Sequence, residues 1–213
     1  MADSRIEKWR RWCAGRIRAE ILTMHLHRHV FREVGEITKA RGDLPPSYFF
    51  DYLRDTYATT QAIAIRRQAE TGPRVCTLGR LLTEVSGDPS RISREFYLGM
   101  WNDDADQGAR AFADQFAGAA DSHIDPAIIR RDLHELATAA DSVRGYVDEY
   151  VVHSDARARA ALPAFDDLNL AIDSIGHLFI KYVNALTAET YATLVPEFQH
   201  DWRAVFREPW IRS

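Results

Sequence analysis

The chain has 213 residues, 46% hydrophobic and 27% charged, a balance typical of a folded globular domain and not of a disordered or low-complexity chain. Its apolar runs are short and its two cysteines form no metal or disulfide pattern, so we expect no membrane span, no secretory leader and a cytoplasmic location. The net charge of −4 is uneven: residues 1–41 carry an excess of five basic side chains, and residues 101–156 an excess of eight acidic ones.

Apolar residues recur at helical spacing along the whole chain, and no segment alternates as a strand would. The first helical pattern begins at Asp3 or Ser4, either of which can cap a helix, and continues to about Lys39. Gly15 and Gly35 are its weak points, because glycine destabilises a helix interior. These residues predict a long basic helix at the start of the chain.

Glycine and proline clusters delimit the helices that follow. A break at residues 42–46 precedes a second helix, which begins at Ser47 and ends near residues 71–73. Thr77 is the predicted start of a short helix that ends at the turn formed by residues 87–89. We therefore expect one long and one short helix in this part of the chain.

Two short helices and a long one are predicted next. The short patterns cover residues 90–100 and 104–118. An aspartate and a proline at residues 125–126 are typical of a helix start, and the pattern after them continues to Val151. A last amphipathic segment covers residues 198–210.

The clearest helix follows Pro163. Its apolar residues are separated alternately by four and three positions, close to a heptad repeat: Leu168, Ile172, Ile175, Phe179, Tyr182 and Leu186. Taken together, the patterns predict an all-α fold. We expect a single domain over residues 1–213, an antiparallel helical bundle with additional short helices.

The sequence lacks the glycine-rich loops that bind nucleotide phosphates and the GxSxG turn of serine hydrolases. His25, His29 and Glu33 share one face of the first helix and have a spacing that metal ligands can use. A metal site would need further ligands from another helix. We therefore predict no metal and no cofactor, and expect these side chains to be surface groups or hydrogen-bonded.

Arg66 and Arg67 form a compact basic tip at the end of the second helix. Guanidinium groups bind phosphate, which favours a nucleic-acid contact. Cations at a helix C-terminus also complement the helix dipole, so a purely structural interpretation stays open.

His153 follows a long predicted helix and has acidic neighbours in Asp148, Glu149 and Asp155. A histidine in this setting can act as a general acid or base near neutral pH, and a nearby carboxylate can orient it and raise its pKa. The alternative is a structural histidine at a helix end, where the dipole favours positive charge.

Three parts of the chain carry a family resemblance: AIAIRRQAE with the following TLGRLLTEVSGDPSRISREFY, then YVDEYVVHSD, then AIDSIGHLFIKYVNAL. In this order and spacing they resemble the HEPN superfamily, in particular its abortive-infection U type, over roughly residues 45–190. HEPN proteins are helical bundles that usually dimerise, and many are metal-independent endoribonucleases that use an arginine, a polar residue and a histidine. The resemblance implies that Asp148 takes the polar position and His153 the histidine position.

The sequence departs from the family pattern beside this histidine. Val147 stands where the family has its arginine, and Glu149 where it has a lysine. The family's arginine stabilises charge on the transition state, so its loss implies a degenerate ribonuclease motif. Arg144, Arg157 or Arg159 are the candidates to replace it.

We therefore expect a bacterial defence or toxin–antitoxin protein whose dimeric helical domain binds RNA or another partner. The candidate residues for RNA binding are Arg66, Arg67, Arg157 and Arg159, and those for catalysis are Arg144, Asp148 and His153. The expected partners are a second copy of the chain, RNA and a cognate antitoxin protein, and no membrane is expected. Two alternatives stay open, an active metal-independent endoribonuclease that uses His153 and a metal-binding helical bundle.

Overall fold

The computed structural model describes residues 4–40, 42, 47–101, 105–116, 122–148 and 162–207. Within these residues the regular structure is helical, which confirms the predicted all-α fold. The α-helices are α1 (Ser4–Trp12), α2 (Arg18–Ala40), α3 (Tyr48–Gln68), α4 (Leu78–Gly87), α5 (Arg94–Leu98), α6 (Ala105–Gln115), α7 (Pro126–Tyr146) and α8 (Phe165–Thr187). No helix in the described part of the chain is long and apolar enough to cross a membrane.

Helix α8 is the centre of the bundle and contacts α1, α2, α3 and α7. The apolar residues of its predicted heptad are all buried: Leu168, Ile172, Ile175, Phe179, Tyr182 and Leu186. Burying a side chain of this size stabilises a fold by about 1.5–3 kcal/mol relative to leaving it exposed. The core therefore follows directly from the spacing of these residues.

A buried ionic contact joins α7 to α8. Asp132 of α7 is buried, and its Oδ2 accepts hydrogen bonds from Lys181 Nζ at 2.6 Å and from Tyr182 OH at 2.8 Å. Burial and the adjacent Asp132 carboxylate raise the pKa of Tyr182, so its hydroxyl stays protonated and donates. The contact therefore fixes α7 against α8 along the helix axis.

The basic N-terminal segment packs on its own bundle. Between α1 and α2, residues 13–17 form a π-helical turn in which Gly15 has the non-helical angles φ −99° and ψ −105°. The predicted weak point at Gly15 is thus a kink, whereas α2 passes through Gly35 without a break. Ile6 and Trp9 before the kink are buried in the same core as the residues that follow it.

Glu84 of α4 anchors α1. Its carboxylate accepts hydrogen bonds from Lys8 Nζ at 2.8 Å, from Trp9 Nε1 at 2.9 Å and from Arg80 Nη2 at 2.8 Å. Burial alone would raise the pKa of Glu84, but the donors outweigh burial and the pKa is lowered. The carboxylate is therefore held in its charged form between the two helices.

The helix starts lie where capping residues predict them. The side chain of Ser47 accepts a hydrogen bond from the N–H of Phe49, and that of Thr77 accepts one from the N–H of Arg80. The Asp125 carboxylate caps α7 in the same way. All three predicted starts are confirmed.

Three predicted segments differ from the structure. Helix α3 ends at Gln68, before the predicted stop at 71–73. The predicted helix at 90–100 is wrong in extent, because Ser93 accepts a hydrogen bond from the N–H of Phe96 and starts α5 anew after a 3₁₀ turn. In the described part of the last predicted helix, regular structure is limited to the 3₁₀ turn Trp202–Phe206.

Candidate nucleic-acid interface

The C-terminal end of α3 is fixed against α2 and α4. Gln68 is fully buried, and its Nε2 donates to Glu20 Oε2 at 2.7 Å while its Oε1 accepts from the N–H of Leu78 at 3.1 Å. At the start of α4, Gly79 lies so close to α3 that a Cβ there would be 2.8 Å from the carbonyl oxygen of Ala69. Packing therefore determines where the two arginines before Gln68 lie.

The structure brings two of the predicted site residues, Arg66 and Asp148, together. Arg66 Nε lies 3.5 Å from Asp148 Oδ1, and Arg66 Nη1 donates a hydrogen bond to Glu70 Oε1 at 3.2 Å. The contact joins the C-terminal end of α3 to the residues just after α7. It is longer than a regular charge-assisted hydrogen bond and partly exposed, so we expect it to add little to stability.

Arg144 has a different partner. Its Nη2 lies 2.7 Å from Asp141 Oδ1, and both side chains are more than half exposed. Among the described residues, the cation paired with Asp148 is therefore Arg66 of α3 and not Arg144 of α7.

The other predicted site residues, His153, Arg157 and Arg159, lie outside the described residues. The same is true of Glu149 and Asp155, the expected acidic neighbours of His153. The catalytic role of His153 and the RNA-binding role of the two arginines stay predictions.

Arg67 belongs to a cluster of arginines that Glu20 organises. Glu20 Oε1 lies 3.1 Å from Arg16 Nε and 3.6 Å from Arg67 Nη1. Both arginines line a cavity of about 460 Å³, which we call the basic groove and whose other lining residues include Trp12, Arg74 and Cys76. Arg74 is exposed and makes no ion pair within the described part of the chain.

The basic groove has the chemistry of a phosphate-binding surface. Its three arginines and the adjacent Arg66 outnumber the three acids beside them, Glu20, Glu70 and Asp148. Arginine forks bind phosphate oxygens through paired hydrogen bonds. Arg16 and Arg67 are about half exposed or more, so both can reach a bound ligand.

Neither cysteine offers a reactive thiolate. Cys13 and Cys76 are free, and burial is the main cause that raises the pKa of each thiol, to about 12 for Cys13. The thiol of Cys76 in the basic groove is therefore protonated at neutral pH. The groove is suited to binding a ligand and not to nucleophilic attack by cysteine.

The histidine face of α2 is occupied by other contacts. His25 is buried and accepts from Arg28 Nη2 at 3.1 Å, and burial, aided by this guanidinium, lowers the pKa of His25 to about 4. The ring of His29 packs against Phe198 at 5.5 Å, and Glu33 pairs with Arg203 at 2.7 Å. The described residues contain no group of three ligands that could hold a metal ion.

Comparison with models of known protein families shows to which family this chain belongs. A model of the HEPN_AbiU2 family, described as AbiU2, matches residues 6–205. The chain belongs to this family. The match confirms the resemblance to abortive-infection HEPN proteins and makes this a defence-related HEPN-like protein. The searches of curated proteins and of solved structures found no match.

Sequence reasoning on this HEPN protein missed two of the three arginines that line the basic groove. Arg66 and Arg67 were predicted as a basic tip, but Arg16 and Arg74 were not, and Glu20 had no predicted role. The excess of basic residues over 1–41 was the available signal for Arg16. Arg74 follows a Gly-Pro turn, and no local pattern indicates that this turn returns to α2.

Proposed function

We propose that this HEPN-family defence protein binds RNA in the basic groove and that its ribonuclease motif is degenerate. The observation that carries the proposal is the convergence of Arg16, Arg67 and Arg74 on one open cavity. These side chains come from three separate segments, and a packed helix end holds Arg67 in place.

The electrostatics of the groove support RNA as the ligand. Glu20 restrains two of the guanidinium groups without neutralising all of the arginines. The groove is built from the ends of helices and not from the acidic stretch 101–156, which would repel a polyanion. Phosphate contacts of this type give binding that depends strongly on salt.

The residues near Asp148 support the proposal that the ribonuclease motif is degenerate. Val147 replaces the family's arginine, Arg144 pairs with Asp141, and Arg66 is the cation beside Asp148. An arginine already paired with a carboxylate stabilises a developing negative charge less well than a free one. We therefore propose binding without efficient cleavage, and the active enzyme that uses His153 is the alternative.

RNA binding is tested by the anisotropy of a labelled RNA of mixed sequence at several salt concentrations. We expect Arg67→Ala to weaken binding about tenfold and to reduce the salt slope by about one. The matched control is Arg91→Ala, a similarly exposed arginine on the 3₁₀ turn that follows α4. Equal affinities of Arg67→Ala and Arg91→Ala would contradict a role for the groove.

Cleavage is tested on the same RNA in the presence of EDTA, with wild type, His153→Ala and Arg66→Ala. The proposal expects intact RNA in all three samples. Cleavage by wild type that disappears in His153→Ala would instead establish the metal-independent endoribonuclease, and loss in Arg66→Ala would identify its replacement cation.

A separate surface supports association of two copies of the chain. Tyr48, Phe49 and Tyr52 at the start of α3 are 94%, 51% and 64% exposed. Contiguous exposed apolar surface marks an interaction site more often than isolated side chains do.

The charged residues on this surface include both acids and a base. Arg54 pairs with both Asp51 and Asp55, so the same turn of α3 presents both signs. A twofold contact here can place Arg54 of each copy beside a carboxylate of the other copy. We propose this aromatic surface as the dimer interface, and a cognate antitoxin protein is the other occupant to test.

Size-exclusion chromatography with light scattering tests the dimer over a range of concentrations. We expect Phe49→Glu combined with Tyr52→Glu to raise the dimer dissociation constant at least tenfold, because two charges would be buried in an apolar contact. Leu170→Glu, a change at another exposed apolar residue, is the control and is expected to leave the dimer intact. A wild-type monomer at every concentration would reject this interface.

A further inference from the structure

A second cavity adjoins the basic groove and shares one residue with it. The cavity has a volume of about 410 Å³, lies between α2 and α3, and includes Arg67 in its lining. Arg67 therefore stands between two cavities, one basic and one largely apolar. We call the second one the α2–α3 cavity.

The walls of the α2–α3 cavity are suited to a flat aromatic ring. Met24, Ile63 and Ala64 supply apolar surface on its two sides. His27 is exposed at the cavity and makes no hydrogen bond or ring contact with another described residue. An imidazole in this position is available to stack on a planar ligand.

Three side chains of this cavity have oxygen atoms that can accept further hydrogen bonds. The hydroxyls of Thr23 and Thr60 donate to carbonyls of their own helices at 2.8 Å, which leaves their oxygen lone pairs free. Gln61 is buried, and its Nε2 lies 3.5 Å from the carbonyl oxygen of Met24. Its Oε1 has no hydrogen-bond partner among the described residues, which is costly unless a ligand or water supplies an N–H or O–H group.

We infer that the α2–α3 cavity binds an unstacked nucleobase of the RNA whose phosphate lies on Arg67. The inference rests on the proposed RNA-binding function and names its substrate class, single-stranded RNA. Apolar walls, a ring available for stacking and acceptors for exocyclic amino groups are what an extruded base needs. Bases in a duplex are stacked and paired, so they cannot enter.

The test compares a labelled single-stranded RNA with the same strand annealed to its complement. We expect wild type to bind the single strand at least tenfold more tightly than the duplex. Ala64→Phe fills the cavity without changing charge, and we expect it to bring the affinity for the single strand down to that for the duplex. Ala137→Phe makes the same change at an exposed position of α7 and serves as the control.

A second variant and a direct probe guard against a folding defect in Ala64→Phe. Gln61→Leu removes the unpartnered acceptor at similar volume, and it is expected to reduce the preference for the single strand. A single strand carrying 2-aminopurine reports base unstacking, and its fluorescence is expected to rise on binding to wild type and not to Ala64→Phe.

The outcomes separate this inference from the proposed function. Equal binding of single strand and duplex, both lost in Arg67→Ala, would overturn the base-binding cavity and keep the RNA-binding groove. A preference for the single strand that survives Ala64→Phe and Gln61→Leu would also overturn it. No binding of either RNA by wild type would reject the proposed function and the inference together.

Discussion

Replacing Asp132 with alanine is expected to destabilise the protein by about 3 kcal/mol, because it leaves the charge of Lys181 without its partner. The Asp132 side chain is 3% exposed and lies 2.6 Å from Lys181 Nζ, and it also accepts the hydroxyl of Tyr182. Removing one member of such a pair costs more than the pair contributes, because the remaining charge stays poorly solvated. Urea unfolding followed by circular dichroism measures the change.

Two further variants separate the ionic effect from the loss of packing. Asp141→Ala removes an acid from the same helix whose pair with Arg144 is more than half exposed, and we expect a change of about 0–0.5 kcal/mol. Asp132→Ala combined with Lys181→Met removes both charges and is expected to recover about 1 kcal/mol or more. A double variant no more stable than Asp132→Ala would show that the cost arises from the cavity and not from the unpaired charge.

The contact of Asp132 with Lys181 also shows which parts of the fold can be predicted from the sequence. The heptad of α8 and the caps at Ser47, Thr77 and Asp125 are local patterns, so each was predicted and is present. The position of Asp132 in a buried pair depends on which helix packs beside α7. Residue spacing within one helix carries no information on that neighbour.

In the candidate site, too, the sequence predicts local features but not the contacts between helices. Arg66, Arg67 and Asp148 were found from the sequence because each lies in a motif or at a helix end. The pairing of Arg66 with Asp148 was not predicted, and Arg144, the nearest arginine in sequence, pairs with Asp141 instead. Proximity in sequence favours Arg144 of α7 as the cation beside Asp148. The packing of α3 on α7 instead brings Arg66 to that position.

The position of Arg16 depends on more than the charge of its segment. The excess of positive charge over residues 1–41 predicts a basic segment but does not identify which of its side chains reaches a site. Only the kink at Gly15 and the packing of α2 on α3 place Arg16 beside Arg67. The charge of a segment can be calculated from the sequence. Which of its side chains reaches a site depends on the backbone geometry, here on the kink at Gly15.

Gly79→Ala is expected to destabilise the protein by about 2 kcal/mol and to weaken RNA binding as well. A Cβ at this position would lie 2.8 Å from the carbonyl oxygen of Ala69 and 2.9 Å from that of Glu70. These are backbone atoms at the end of α3 and cannot rotate away as a flexible side chain can. Helix α4 must therefore shift, which loosens the hydrogen bond between Gln68 and the N–H of Leu78.

Gly35→Ala is the matched control, because a Cβ at this position in the C-terminal half of α2 would meet nothing within 4 Å. Alanine is the better helix former, so this variant is expected to be more stable than wild type by about 0.5–1 kcal/mol. Urea unfolding compares the two, and the anisotropy assay on the folded proteins compares their RNA affinities. If Gly79→Ala were as stable as Gly35→Ala and bound RNA as wild type does, the contact between α3 and α4 would not be what positions Arg67. Reduced stability with unchanged affinity would assign the contact to folding alone and place the positioning of Arg67 on Glu20.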